Sequence, residues 1–118
     1  MQEPFAGPLP RLRGTQLGLL HPEQIDQLKA DMLNGLFKYE ALEAIVVGVV
    51  DPKGTFHVQS GHHRIAAAIE LMKETGNEYY LRMLLACGRW PVITYFPHNS
   101  RPLPGRDWIS RLRNKFRI

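Results

Sequence analysis

The chain has 118 residues, 44% of them apolar and 22% charged, with a net charge of +4 and one cysteine. That length holds one hydrophobic core, and that composition is that of an ordinary globule, so two domains or global disorder are excluded. No apolar run approaches the ~20 residues of a membrane span, and Cys87 alone excludes an internal disulfide framework and a multi-cysteine zinc site.

Met1 to Pro10 has no apolar core of a signal peptide, and Pro4, Pro8 and Pro10 predict an extended leader over 1–11, or a junction to a larger parent protein. Residues 12–118 are expected to form the single domain. Pro22 to Asn34 predicts a helix: Pro in its first turn, Glu23 and Asp26 near the positive end of its dipole, Ile25, Leu28 and Met32 on one stripe, and Gly35 as the stop. Ala44 to Val50 predicts a buried strand. Asp51-Pro52-Lys53-Gly54 has the side chains of a type I turn. Thr55 to Gln59 alternates, so Phe56 and Val58 are expected to face the core while Thr55, His57 and Gln59 face away.

His62 to Glu74 predicts a helix that buries Ile65, Ile69 and Met72 and ends at Gly76. Asn77 to Ala86 predicts another, with Cys87 as a buried structural thiol rather than a reactive one. Trp90 to Phe96 predicts a strand with Pro91 at its start, where a missing N–H is tolerated. A Pro-rich loop from His98 to Gly105 leads to an amphipathic helix over Arg106 to Phe116. The sum is a small α+β domain, a short mixed sheet packed with helices. From Arg101 onward six cations face Asp107 alone, a net +5 that leaves −1 for the remainder. Such a basic end is either a solvated face or a grip on a polyanion, with Arg106, Arg113, Lys115 and Arg117 as the nucleic-acid contacts.

Gln59-Ser60-Gly61-His62-His63-Arg64, between a strand and a helix, concentrates the chemistry. The first amides of a helix have no internal partner and carry the positive end of its dipole, so a Gly-led helix start bearing two imidazoles and a guanidinium suits phosphate. Ser60, Gly61 and Arg64 are the expected phosphate ligands, Arg64 through a bidentate guanidinium. His62 and His63 point about 100° apart on a helix; either at least one exchanges protons, or one caps the helix and the other packs. Glu43, just before the buried strand, is either a base beside the anion site or a solvated acid. His57 either lines the same cleft or belongs only to the strand. Glu70 reads as a solvated acid. The chain has no His-x-x-x-His, Glu-x-x-His or cysteine cluster, so no metal ligands are named, although a Mg²⁺ held mainly by phosphate oxygens would leave little trace in sequence.

Val58-Gln59-Ser60-Gly61-His62-His63-Arg64-Ile65-Ala66-Ala67-Ala68 resembles the central motif of the ParB/sulfiredoxin superfamily, and Leu12-Arg13-Gly14-Thr15-Gln16 is similar to the opening of ParB-like nucleases. The resemblance covers roughly residues 12 to 75. It implies the superfamily's fold, a phosphate held by Arg64, and Thr15 and Gln16 beside the phosphate. Sulfiredoxins carry a cysteine where this chain has His62, so sulfinic-acid reduction is not expected. Many relatives have Asp where this chain has Ser60, which removes one carboxylate. The helical DNA-binding and dimerisation regions of partitioning ParB proteins do not follow residue 75, so partitioning is not expected of this chain.

Three functions follow. The first is a ParB-like nuclease acting on DNA. By analogy it would be a toxin domain of a bacterial effector, secreted, acting in a target cytoplasm and matched by an immunity protein. The second is nucleotide-binding phosphotransfer or hydrolysis of a nucleoside triphosphate, with Glu43 as the base. The third is DNA binding without turnover.

Overall fold

A hairpin forms the centre of the sheet. Val47–Val50 (β2) pairs antiparallel with Phe56–Ser60 (β3), and Leu12–Arg13 (β1) pairs parallel with the other side of β3, giving the order β1-β3-β2. Three helices accompany it: Glu23–Leu33 (α1), His62–Thr75 (α2) and Tyr79–Cys87 (α3). The computed structural model describes residues 2–19 and 21–106 of the chain. The architecture is a small α+β fold with a mixed sheet, as the pattern of elements predicts.

The hairpin turn is fixed by Asp51. Its carbonyl accepts the Gly54 amide at 2.9 Å, and its carboxylate Oδ1 accepts the amides of Lys53 and Thr55 at 2.8 and 3.1 Å. These bonds are the local side-chain-to-backbone pattern that makes Asp a turn residue. The predicted strand over Ala44 to Val50 is shorter than expected. Leu42–Ala44 is a single 3₁₀ turn instead, and the ladder begins at Val47.

α2 lies at the heart of the core. Ile65, Ala67, Ala68 and Leu71 are buried against Val46, Val58, Ile25, Leu81, Leu84 and Leu85. Ile69 and Met72, expected to be buried, are only half so. The alanines bring the helix axis close to its neighbours, so the buried stripe runs through Ile65, Ala68 and Leu71. α1 and α3 both pack against α2.

The predicted strand over Trp90 to Phe96 does not form. Only two bridges attach this stretch to the outer edge of β2, Val47 with Arg89 and Val50 with Val92, because Pro91 has no amide to extend a ladder. On the opposite edge of the sheet Arg101 and Gly14 exchange two backbone bonds of 2.8 Å. Residues 93–101 therefore pass from the β2 edge to the β1 edge. They lie over the sheet face that bears His57 and Gln59 and not the helices, since Tyr95 to Ser100 share cavities with those residues and with Val49.

Residues 2–11 have no helix or strand, yet they are held on the body. The Phe5 amide donates to the Arg82 carbonyl at 3.0 Å, Arg82 Nη1 donates to the Phe5 and Gly7 carbonyls, and the Phe5 ring stands edge-on to Phe56 at 6.0 Å. Phe5 and Leu9 pack against the core. No helix among the described residues is long and apolar enough to cross a membrane.

Candidate functional site

The turn from β3 into α2 places Ser60, Gly61, His63 and Arg64 around a cavity of about 230 Å³. Gly61 makes the turn with φ 99°, a left-handed conformation that glycine adopts without strain. A Cβ there would also lie 2.9 Å from Val46 Cγ2. No side chain caps α2, so helix geometry leaves the amides of His62, His63 and Arg64 without intrahelical acceptors. Gln24 and Leu28 of α1 complete the lining. α1 and α2 run side by side in the same sense, since His21 meets His63 at one end while Lys29 reaches Glu70 and Glu74 further along. The cavity thus lies at the N-terminus of α2 and against the flank of α1, and the positive end of the α2 dipole faces it.

Arg64 folds back over Gly61, and its Nη2 donates to the Glu43 carbonyl. Among the described residues no carboxylate pairs with it. Burial pulls its pKa below the ordinary guanidinium value, the direction expected of a cation with no counter-ion at hand. Its remaining donors are of the chemistry that an anion would satisfy.

The two histidines have separate roles. His62 is 2% exposed, and its Nε2 accepts the Thr15 amide at 3.1 Å. Gly14 lies against its ring, where an added Cβ would come within 3.0 Å. His62 therefore fastens the end of β1 to the start of α2 and turns away from the cavity. Of the three candidates in the motif, His62, His63 and Arg64, it is the one that does not line the cavity. Burial, with His63 adding to it, pushes its pKa below the usual imidazole value. His63 does line the cavity, half-buried, with Nε2 accepting the His21 amide at 3.0 Å. Since an acceptor nitrogen carries no proton, the neutral ring bears its proton on Nδ1. Burial lowers the His63 pKa as well, with the His21 ring contributing.

Other expected residues stand elsewhere. His57 is 3% exposed and does not reach this cavity; its Nε2 lies 2.8 Å from Asp51 Oδ2, on the face covered by residues 93–101. It faces away from the helices as alternation predicts, but that face is covered. Glu43 meets Arg64 through its backbone carbonyl, and its side chain is not part of the cavity lining. Thr15 has its amide on His62 and its hydroxyl on the Val58 carbonyl at 3.2 Å, and Gln16 Oε1 is buried without a hydrogen-bond partner. Neither lines the cavity.

Glu70 is not merely solvated. It accepts bonds from Lys29 and Arg106, and Arg106 also holds Asp26 at 2.7 and 3.1 Å. Arg106 is thus committed to two carboxylates rather than left free for a polyanion, and these bonds raise its pKa. Arg113, Lys115, Arg117 and nearly all of the predicted terminal helix lie outside the described residues. Cys87 ends α3 half-buried, and burial pushes its thiol up, which disfavours the reactive thiolate.

Two contributions escaped the sequence reading. Gln24 and His21 come from the start of α1, nearly 40 positions upstream of the motif, and nothing in their spacing points to it. Asp51, read only as a turn residue, is also the partner of His57. No group of three or more His, Cys, Asp or Glu among the described residues is placed to hold a metal ion. The cavity itself offers one guanidinium and no carboxylate, a donor set for an anion and not for a hard cation.

Comparison with protein-family models, with curated proteins and with solved structures found no match to this chain.

Proposed function

We propose that the chain is a ParB-like nuclease domain that seats a DNA phosphodiester at the Gly61–Arg64 helix start. One observation carries this reading: Arg64, with no carboxylate partner among the described residues, lines the cavity between α1 and the start of α2. A volume of about 230 Å³ lies below the ~300–1,000 Å³ of sites that engulf a drug-sized ligand, which favours one phosphate of a longer chain over an enclosed nucleoside triphosphate. The base that the nucleotide reading assigned to Glu43 has no support, since that carboxylate is not part of the cavity lining.

In the hydrolysis, water adds to phosphorus, the bond to one ester oxygen breaks, and that oxygen takes up a proton. Arg64 and the free amides of α2 stabilise the charge that builds on the phosphoryl oxygens. His63 is the imidazole at the cavity: its neutral ring can hydrogen-bond the phosphate through Nδ1–H, and it gives that proton to the leaving oxygen only after Nε2 has taken the proton released by the attacking water. To pick up a second proton it must release the His21 amide, which makes the entry to α1 part of the site. The resemblance to toxin domains extends the proposal to an effector delivered into a target cytoplasm and held in check by an immunity protein.

The test is an assay of the purified chain on plasmid DNA and on RNA, with and without Mg²⁺, beside Arg64→Ala. Nicking by the wild type that the variant lacks supports the proposal. Binding of DNA without cleavage reduces it to a phosphate-binding domain, and failure to bind nucleic acid overturns it.

A further inference from the structure

A second depression, of about 310 Å³, lies on the far side of β3 from the helices. Arg11, Arg13 and Lys53 bring three cations to it, and Phe96 and Ser100 come from the strap of residues 93–101. One carboxylate, Asp51, lines it, and that carboxylate is already used. Oδ2 lies 2.8 Å from His57 Nε2, and Oδ1 takes two backbone amides. Both Asp51 and His57 are more than nine-tenths buried, and His57 Nδ1 has no hydrogen-bond partner. The floor is therefore rigid and its acid is satisfied, while the rim carries cations. Arg13 is steadied by Nε donating to Ser100 Oγ at 2.6 Å.

The rim is also aromatic. Phe96 is 52% exposed with Lys53 Nζ 6.0 Å from its ring centroid, and the adjacent Tyr95 is 60% exposed. Tyr95 lines a third depression with Gln59, Ile93 and His98, and Pro97 is common to both. The three depressions meet β3 on its two faces: His57 and Gln59 line the basic and aromatic ones on the face turned from the helices, and Ser60 and Gly61 line the phosphate seat where the strand ends at α2, on the helix side. At about 3.3 Å per residue, His57 and Ser60 are roughly 10 Å apart along β3, so a nucleic-acid strand that joins the platform to the seat passes round the end of β3 beside Gln59 and Ser60.

We infer that the Arg11–Arg13–Lys53 depression and the Tyr95–Phe96 rim bind single-stranded nucleic acid, holding its backbone and stacking its bases beyond the phosphate seated at Gly61. Cations that track a backbone and exposed rings that stack bases are the two parts of a single-strand platform. A duplex, its bases already paired and stacked, offers nothing to Phe96 and Tyr95. This inference rests on the nucleic-acid reading above.

The test uses fluorescence anisotropy with a labelled 12-nucleotide oligo-dT strand, a 12-base-pair duplex, and the dinucleotide dTpdT as competitor. The wild type is expected to prefer the single strand. Phe96→Ala and the pair Arg11→Ala/Lys53→Ala, at exposed positions, should each weaken the strand by about tenfold. Phe96→Trp should keep its affinity, and competition by dTpdT, which needs the seat alone, should not change. Arg64→Ala should lose strand and dTpdT together. If Arg64→Ala abolishes binding while the Phe96 and Arg11/Lys53 variants retain it, the platform is refuted and the seat stands. A preference for the duplex likewise refutes the platform. If no variant changes anything, both proposals fall.

Discussion

His62 Nε2 accepts the Thr15 amide at 3.1 Å, so the first histidine of the Gly-His-His-Arg motif points into the body and joins β1 to α2. The bond spans 47 positions of sequence and is buried at the histidine, where an unmet donor is costly. Truncating His62 strands the Thr15 amide and leaves a cavity beneath Gly14. His62→Ala should therefore destabilise the fold by about 2–4 kcal/mol in urea unfolding. A loss under about 0.5 kcal/mol would show that the contact holds nothing together.

Acid should act through the same residue. Burial holds the folded-state pKa of His62 below its ordinary 6.5, and His63 shifts the same way. The unfolded chain then binds protons more readily than the folded one. Stability from these neutral imidazoles is complete above about pH 6.5 and is lost as pH falls through the lower folded values. A second loss should follow in stronger acid. Hydrogen bonds from Arg106 hold Asp26 low, the bond to His57 holds Asp51 low, and Arg106 and Lys29 outweigh burial at Glu70. Unfolding midpoints measured from pH 8 to pH 3 should fall in two stages, and in His62→Gln the upper stage should shrink. An unaltered upper stage in that variant would assign it to another group.

Helices α1 to α3 and the hairpin were legible because their signals are local: Pro22 and Gly35 bracket α1, Asp51 to Gly54 makes the turn, and Gly76 ends α2 with φ 74°. The motif's place at a strand-to-helix turn was legible for the same reason. Which histidine faces the cavity was not, because that depends on β1, about 50 positions away, offering the Thr15 amide. The burial of His57 was hidden likewise. Alternation says only that it leaves the helix-bearing face, and the strap that covers the other face is held by backbone bonds at Val50 and Gly14 that have no side-chain signature. Arg106 looked free because its carboxylate partners, Asp26 and Glu70, are 80 and 36 positions away.

Gly61 should not tolerate a side chain. Its φ of 99° is disfavoured for any other residue, and Val46 occupies the space of a Cβ. Gly61→Ala should cost about 1–3 kcal/mol by strain and also weaken phosphate binding, since relief requires the start of α2 to move. Gly54→Ala serves as the control, having φ 83° but open space around it. It should destabilise without touching binding.

His63 separates binding from turnover. Its Nε2 is engaged by the His21 amide, while Nδ1–H can hydrogen-bond a phosphate and passes to a leaving oxygen only once Nε2 has released that amide and taken a proton. His63→Gln keeps a carbonyl that can accept the His21 amide, so the approach of α1 to α2 should survive and DNA affinity should stay within about threefold of the wild type. Glutamine cannot exchange a proton, so cleavage should fall by about 10²-fold or more, the usual scale for a general acid or base. His63→Ala loses the amide contact too, and should lose affinity as well as rate. Equal turnover in His63→Gln and the wild type, under saturating DNA, would remove His63 from the chemistry. The proposed phosphate seat, which rests on Arg64 and the α2 amides, would be unaffected by that outcome.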